Sequence, residues 1–481
     1  MKLRLFALAA GAMLVGLTAA GLHASALKVG IIGDQTGSAD LEQSYRILAK
    51  GIEALKAHQV DLVLHVGDLV ESSREEAAIR RDFHTAAALL STLHTPWRIT
   101  PGDHDVNPQV RSANSSDRSR EKLFKELLAA CTLPAEDRLY YSFDQGGYHF
   151  VALDALEHLH TDPRWGNIYL ARISEEQQQW LRTDLERHKG AAGTIVFLHQ
   201  PLWYNWAGWA PVHQLLKEHG VTAVFAGHFH YDQDDGEIDG VHYRVIGATG
   251  ASIKNGSRNA GGMHQVAVLT LENHTAECTL LDAESGEAVR FTTRADADRV
   301  QALDYALGAL SGFADSNRFL LKNGVVVNDC ASSQLAEMRI FAVGNPIDLP
   351  VQLAIDHDPA VFTLIAPRFA EGLCGEEDNG LRCEQCNIAP GAGIAVSNPS
   401  TVSTCFARCP TPVAPGTTPP AAVLLKAIWS SPIVAAKGQE FKEHDRLQMQ
   451  VRLSFQGQEG EMMVRKDLQS EPLRQCPEGQ P

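Results

Sequence analysis

Short β-rich apolar runs alternate with stretches at helical spacing from Leu27 to about Asp282, which limits this part of the chain to a layered α/β domain with a mostly buried sheet. The strands read as Leu27 to Ile32, Leu62 to Val66, Trp97 to Thr100, Phe150 to Leu153, Thr194 to Leu198 and Thr222 to Phe225. Helical periodicity covers Leu41 to Ala57, Arg74 to Leu93, Arg120 to Ala130 and Ser174 to His188. Polar motifs fall where the apolar runs end: Gly33-Asp34-Gln35-Thr36, Gly67-Asp68-Leu69-Val70-Glu71, Gly102-Asp103-His104-Asp105, His199 and Gly227-His228-Phe229-His230. Open α/β sheets gather ligands at the C-terminal ends of their strands, so these motifs are expected to share one crevice.

Together the motifs offer enough carboxylate and imidazole for two metal ions, an assembly suited above all to hydrolysing phosphate esters. Two ions about 3.5–4 Å apart need a shared carboxylate and terminal ligands on each side. Asp68, closing its strand after a Gly that permits a tight turn, is the expected bridge, and Asp34 faces the same crevice. His228 and His230, two apart, point the same way if extended and serve adjacent metals. Imidazole at His199 suits Zn, Fe or Mn equally. Asp103 and His104 share one turn, so one binds metal while the other faces substrate.

The chain has 481 residues, a length that predicts two globular units. Its net charge of -16, with no basic stripe, argues against binding a nucleic-acid duplex. Lys2 and Arg4, an apolar stretch from Leu5 to about Leu17, and Ala24-Ser25-Ala26 read as a secretory signal over residues 1–26. A periplasmic or secreted protein is therefore expected, with no stable membrane insertion after cleavage. No Cys follows the apolar stretch, so a lipid anchor is not expected. In an oxidising compartment the nine cysteines, five of them between Cys374 and Cys409, read as disulfides rather than a zinc knuckle. Their connectivity is open.

Beyond the phosphate-ester domain, taken as residues 27–285, an amphipathic connecting helix is expected within 286–318, carrying Val300, Leu303, Leu307, Leu310 and Phe313 at helical spacing. Residues 319–481 read as a smaller β-rich, sandwich-like, disulfide-containing domain with a Pro-rich loop from Cys409 to Pro420. A cell-envelope ligand is the partner expected for it.

At the motif residues the chain resembles the calcineurin-like metallophosphoesterase superfamily, which includes purple acid phosphatases and cyclic-nucleotide phosphodiesterases. The likeness extends to Tyr141-Ser142-Phe143-Asp144, His149-Phe150-Val151-Ala152-Leu153-Asp154 and Gln178-Gln179-Trp180-Leu181. It implies a four-layer α/β/β/α sandwich, with Asp34 and His230 on the first metal, Asp68 bridging, and Asp103, His199 and His228 on the second. It further implies a small phosphate-ester substrate, two divalent or trivalent ions (Mn, Zn or Fe), and attack by a metal-bridging hydroxide. His104 then protonates the leaving oxygen and Asp105 orients its imidazole.

Two positions depart from the family pattern. Thr36 stands where a His ligand is usual, and Glu71 either replaces that ligand or plays a structural part nearby. Asp103 stands where Asn is usual, giving charge and no donor, which leans the reading slightly towards phosphodiesters. Both departures also suit a rival reading, a catalytically weakened binding or adhesion protein acting through its C-terminal β-domain. Trp203, Tyr204 and Trp206 form either an apolar wall or ordinary loop packing, while His160, His213 and His264 are read as surface residues.

Overall fold

A computed structural model describes residues 26–36, 40–107, 118–131, 138–162, 166–204, 206–253, 258, 261–272, 275–308, 319–327, 330, 336–341, 347–365, 368–369, 385–388, 427–458 and 460–477. The signal segment, the Pro-rich loop and the cysteine cluster lie outside these residues, apart from the backbone of a strand at Gln385–Ile388. In chain order the strands are β1 (Leu27–Ile32), β2 (Leu62–His65), β3 (Trp97–Ile99), β4 (Tyr141–Gln145), β5 (Tyr148–Ala152), β6 (His158–Asp162), β7 (Gly166–Leu170), β8 (Thr194–Phe197), β9 (Ala223–Ala226), β10 (Gln233–Ile238), β11 (Val241–Val245), β12 (Gln265–Glu272), β13 (Thr275–Asp282) and β14 (Ala288–Val289). The helices are α1 (Leu41–Ala57), α2 (Glu76–Ser91), the single turn α3 (Asp103–Val106), α4 (Ser119–Cys131), α5 (Glu175–Arg187), α6 (Trp206–Glu218) and α7 (Arg294–Gly308).

Twelve of these strands form two six-stranded sheets, ordered β14-β13-β12-β1-β2-β3 and β10-β11-β9-β8-β5-β4, where the periodicity alone implies one, and β6 and β7 pair antiparallel by themselves. β1, β2 and β3 run parallel, as do β5, β8, β9 and β11, so each sheet presents a set of strand ends on one side. Val29, Ile31, Leu62 and Leu64 of the first sheet share a buried cluster with Phe150, Ile195, Phe197 and Phe225 of the second. On the other side of the first sheet, Ile32, Val63 and Ile99 pack with Leu48, Leu55, Phe83 and Phe124 from α1, α2 and α4. Val151, Val196 and Val224 of the second sheet pack with Leu181, Val212 and Leu216 from α5 and α6. Central strands buried on both faces are apolar throughout, which is why they were legible as continuous runs. Of the strands that sequence reading passed over, β10 reads Gln-Asp-Asp-Gly-Glu-Ile and lacks an apolar run, whereas β12 is apolar and lies inside the first sheet between β13 and β1.

The connecting helix is present as α7 from Arg294 to Gly308, and residues 309–318 lie outside the described set. Its Ala297 joins the cluster under the second sheet, whereas Val300, Leu303 and Leu307 join a C-terminal cluster with Leu353, Val451, Phe455 and Met462. The C-terminal part is β-rich, with Val351–His357, Gln448–Gly457 and Gly460–Gln469 paired antiparallel. Cys330 and Cys476 form a disulfide with Cα atoms 5.5 Å apart, and Cys278 on β13 is a free thiol. Among the described residues, no helix is long and apolar enough to cross a membrane.

Candidate metal centre

The three acids come from one sheet and the three imidazoles from the other. Asp34 follows β1, Asp68 follows β2, and Asp103 opens α3 just past β3. His199 follows β8, and His228 and His230 follow β9. Four of these six, Asp34, Asp68, His228 and His230, have positive φ angles of 51°, 61°, 71° and 58°. The left-handed region is unfavourable for residues with a Cβ, so the surrounding contacts must hold these turns in place. Two glycines allow the carboxylates to close in. A Cβ on Gly102 would lie 2.0 Å from Asp68 Oδ1, and one on Gly227 would lie 2.4 Å from Asp34 Oδ2.

The side chains converge closely. His199 Nε2 is 3.2 Å from both Asp68 Oδ2 and Asp103 Oδ1, and His228 Nδ1 is 3.1 Å from Asp103 Oδ1. His230 Nε2 lies 3.6 Å from Asp34 Oδ1, while both oxygens of Asp34 accept the His228 backbone N–H at 3.0 Å. The outer nitrogens of two imidazoles face carbonyls, His199 Nδ1 at 2.8 Å from Val66 O and His230 Nδ1 at 2.7 Å from Ser252 O. Those bonds suit a proton on each outer nitrogen and leave the Nε2 atoms facing the carboxylates.

Imidazole nitrogens aimed at carboxylate oxygens need a cation between them, a proton or a metal ion. Against burial, Asp68 and Asp103 hold His199 well above the usual imidazole range, so the pocket draws positive charge and the donor set fits metal ions. Asp68 Oδ2 fits as well: it is buried and has no hydrogen-bond donor. Asp34, Asp68 and His199 form one group with ligand atoms within 4.8 Å of one another, and Asp103, His199 and His228 form a second. Burial works against charge on Asp103, yet the His228 and His199 imidazoles hold it well below the usual carboxylate range. Asp34 is pushed up instead, because burial there outweighs the pull of His230 and His199.

His104 and its neighbours differ from the sequence reading. Glu71 Oε2 lies 2.5 Å from His104 Nδ1, so the carboxylate of Glu71 is turned to the imidazole. The charge of Asp68, with the bond to Glu71, pushes His104 up to about 10. Asp105 does not orient His104. Its carboxylate is buried and accepts four backbone N–H groups, from Asp68, Leu69, Val70 and Gly102, at 2.8–2.9 Å. Asp105 thus ties the Asp68 turn to the Asp103 turn, a role invisible to sequence because its partners are backbone groups.

His213 and His264 are buried, not at the surface. His213 Nδ1 lies 2.6 Å from Tyr243 Oη and His264 Nε2 lies 3.1 Å from Ala251 O, while His160 is exposed. Trp203 packs against Tyr243, with ring centroids 5.0 Å apart, and donates to Asp235 at 2.6 Å, so it belongs to the core. The Trp206 side chain lies outside the described set. Sequence reasoning passed over Gln200, whose Nε2 donates to Asp103 Oδ1 at 3.1 Å; its position directly after His199 was the available signal.

Residues 27–232 match the family of calcineurin-like phosphoesterases. That segment of the chain is similar to calcineurin-like phosphoesterases. Purple acid phosphatase 23 of Arabidopsis thaliana is 29% identical over 154 residues, 29% of this chain and 29% of that protein. Purple acid phosphatase 21 of the same plant is 26% identical over 192 residues, covering 37% of this chain and 40% of its own. The chain spans less than half the length of these curated relatives. A dimetal phosphatase from Danio rerio superposes with a TM-score of 0.40 at 15% identity, covering 53% of this chain and 95% of that one. The matched segment contains every residue of the converging set except Ser252, whose carbonyl lies beyond it.

Proposed function

We propose that the protein is an exported, dinuclear metal-dependent hydrolase of small phosphate esters, with a slight preference for diesters. The observation that carries this reading is that Asp34, Asp68 and Asp103 from one sheet meet His199, His228 and His230 from the other, with the buried Asp68 Oδ2 left without a hydrogen-bond donor. In this reading Asp34 and His230 would hold one ion, Asp103, His199 and His228 the other, and Asp68 would serve both, within a four-layer α/β/β/α arrangement over residues 27–285. Bound ions supply Lewis acidity to the phosphoryl oxygens and make water acidic enough to attack at neutral pH.

The chain's own residues supply the rest. His104 donates its Nε2 proton to the leaving oxygen, and the Glu71 carboxylate fixes the ring by accepting from Nδ1. The His104 backbone N–H donates to Asp68 Oδ1 at 2.9 Å, so the acid and the shared carboxylate move as one unit. Asp103, ionised between His199 and His228, keeps the centre one charge more negative than an amide would, which disfavours a dianionic monoester relative to a singly charged diester.

The test is hydrolysis of bis(p-nitrophenyl) phosphate and p-nitrophenyl phosphate by protein loaded with Mn, Zn or Fe, beside Asp68→Asn and His104→Ala. Metal-dependent turnover lost in Asp68→Asn and strongly reduced in His104→Ala supports the reading. Absence of bound metal in the purified and reloaded protein refutes it.

A further inference from the structure

Gln200 is 5% exposed, and its amide makes a single hydrogen bond among the described residues, from Nε2 to Asp103 Oδ1 at 3.1 Å. Its Oε1 is buried without a partner. The orientation of the amide is forced, because the flipped form would set a carbonyl against a carboxylate. One N–H of Nε2 therefore faces Asp103 and the second N–H is unused. A buried amide using so little of its bonding capacity costs stability, and inside a converging polar site it marks a place for a ligand.

The neighbouring groups show which ligand. Asp103 brings negative charge and no donor. The outer nitrogens of His199 and His230 are turned to Val66 O and Ser252 O. An anionic phosphoryl group entering here meets acceptors on Asp34, Asp68 and Asp103, and on this side the Gln200 amide is the neutral donor at hand.

We propose that Gln200 is a substrate-binding residue of this centre, donating its second amide N–H to a non-bridging phosphoryl oxygen while its first N–H holds Asp103 in place. This rests on the phosphoesterase reading. An Asn at 103 brings an amide donor of its own, so Gln200 matters most when residue 103 is an Asp.

The experiment uses the full-length, metal-loaded protein and inorganic phosphate as the probe, with binding measured by isothermal titration calorimetry and metal content by mass spectrometry. The variants are Gln200→Met, Asp103→Asn and their combination. A lost hydrogen bond to a charged group predicts phosphate binding weakened about ten- to a hundredfold in Gln200→Met, with both metals retained. In the Asp103→Asn background the same substitution is expected to cost threefold or less. If Gln200→Met lowers the melting temperature enough to confuse the comparison, Gln200→Leu replaces it. Unchanged phosphate affinity at full metal content overturns the proposal, as does an equal loss in both backgrounds. A fall in metal content that accounts for the whole effect also overturns it, leaving Gln200 as a support for Asp103 alone. Failure of the metal-loaded wild type to bind phosphate overturns the phosphoesterase reading itself, which separates the two failures.

Discussion

Asp105→Asn isolates how the turns that carry Asp68 and Asp103 are held. Asp105 Oδ1 accepts from Leu69 N and Val70 N, and Oδ2 accepts from Asp68 N and Gly102 N. An amide has one acceptor oxygen, so whichever way it turns, two of the four N–H groups face an NH₂. Each stranded buried donor costs about 1–3 kcal/mol, giving a total of about 2–6 kcal/mol. At about 2–4 °C per kcal/mol for a domain of this size, the melting temperature falls by roughly 10 °C. The measurement is thermal unfolding by circular dichroism in EDTA, which removes any contribution from bound metal. A fall of less than about 2 °C would refute the claim that these four bonds hold the turns together.

Other perturbations read different parts of the molecule. Glu71→Gln should lower kcat about tenfold on an alkyl phosphate ester and much less on p-nitrophenyl phosphate, because only the alkoxide needs a well-aligned acid; equal losses on both would exclude the His104 role. His149 lies between two carboxylates, Asp144 at 2.8 Å and Asp184 at 2.9 Å. Burial opposes charge on both His149 and Asp184, but their mutual bond, with Asp144 and Ser142, carries the imidazole above its ordinary value and the Asp184 carboxyl below its own. The His149 share of stability is thus complete below pH about 6.5 and lost as pH rises through its raised value, while the Asp184 share is present above pH about 3.9 and lost on acidification. Melting temperature against pH for wild type and His149→Gln checks this, and parallel curves contradict it. Replacing Cys330 and Cys476 by Ser opens a link between residues 146 apart and should cost about 2–4 kcal/mol, seen as a lower urea midpoint for the C-terminal part; an unchanged midpoint counts against it.

Much of the candidate site was legible because each proposed ligand follows an apolar run that is buried on both faces. Asp34, Asp68, Asp103, His199, His228 and His230 all sit within a few residues of the strands expected from Leu27 to Phe225. What periodicity could not supply was pairing: β12 inserts beside β1 from more than 200 residues away, and such long-range antiparallel partners leave no local mark. The roles of Glu71 and Asp105 were exchanged for a related reason. Adjacency in sequence favoured Asp105 as the partner of His104, whereas the one-turn helix α3 points the two side chains apart and brings Glu71 across from the preceding turn. Backbone acceptors such as Val66 O and Ser252 O carry no residue signature at all.

Because one sheet supplies the acids and the other the imidazoles, neither half of the domain could hold the proposed metals by itself. Cation affinity therefore gauges how well the two halves are seated: a substitution deep in the Phe150–Phe197–Phe225 cluster that lets them slide by a fraction of an ångström separates every Asp from its His at once. Loaded protein is then more than an activated one. It is riveted across its middle, and chelation should loosen amides at the strand ends of both sheets together, in a single hydrogen-exchange event.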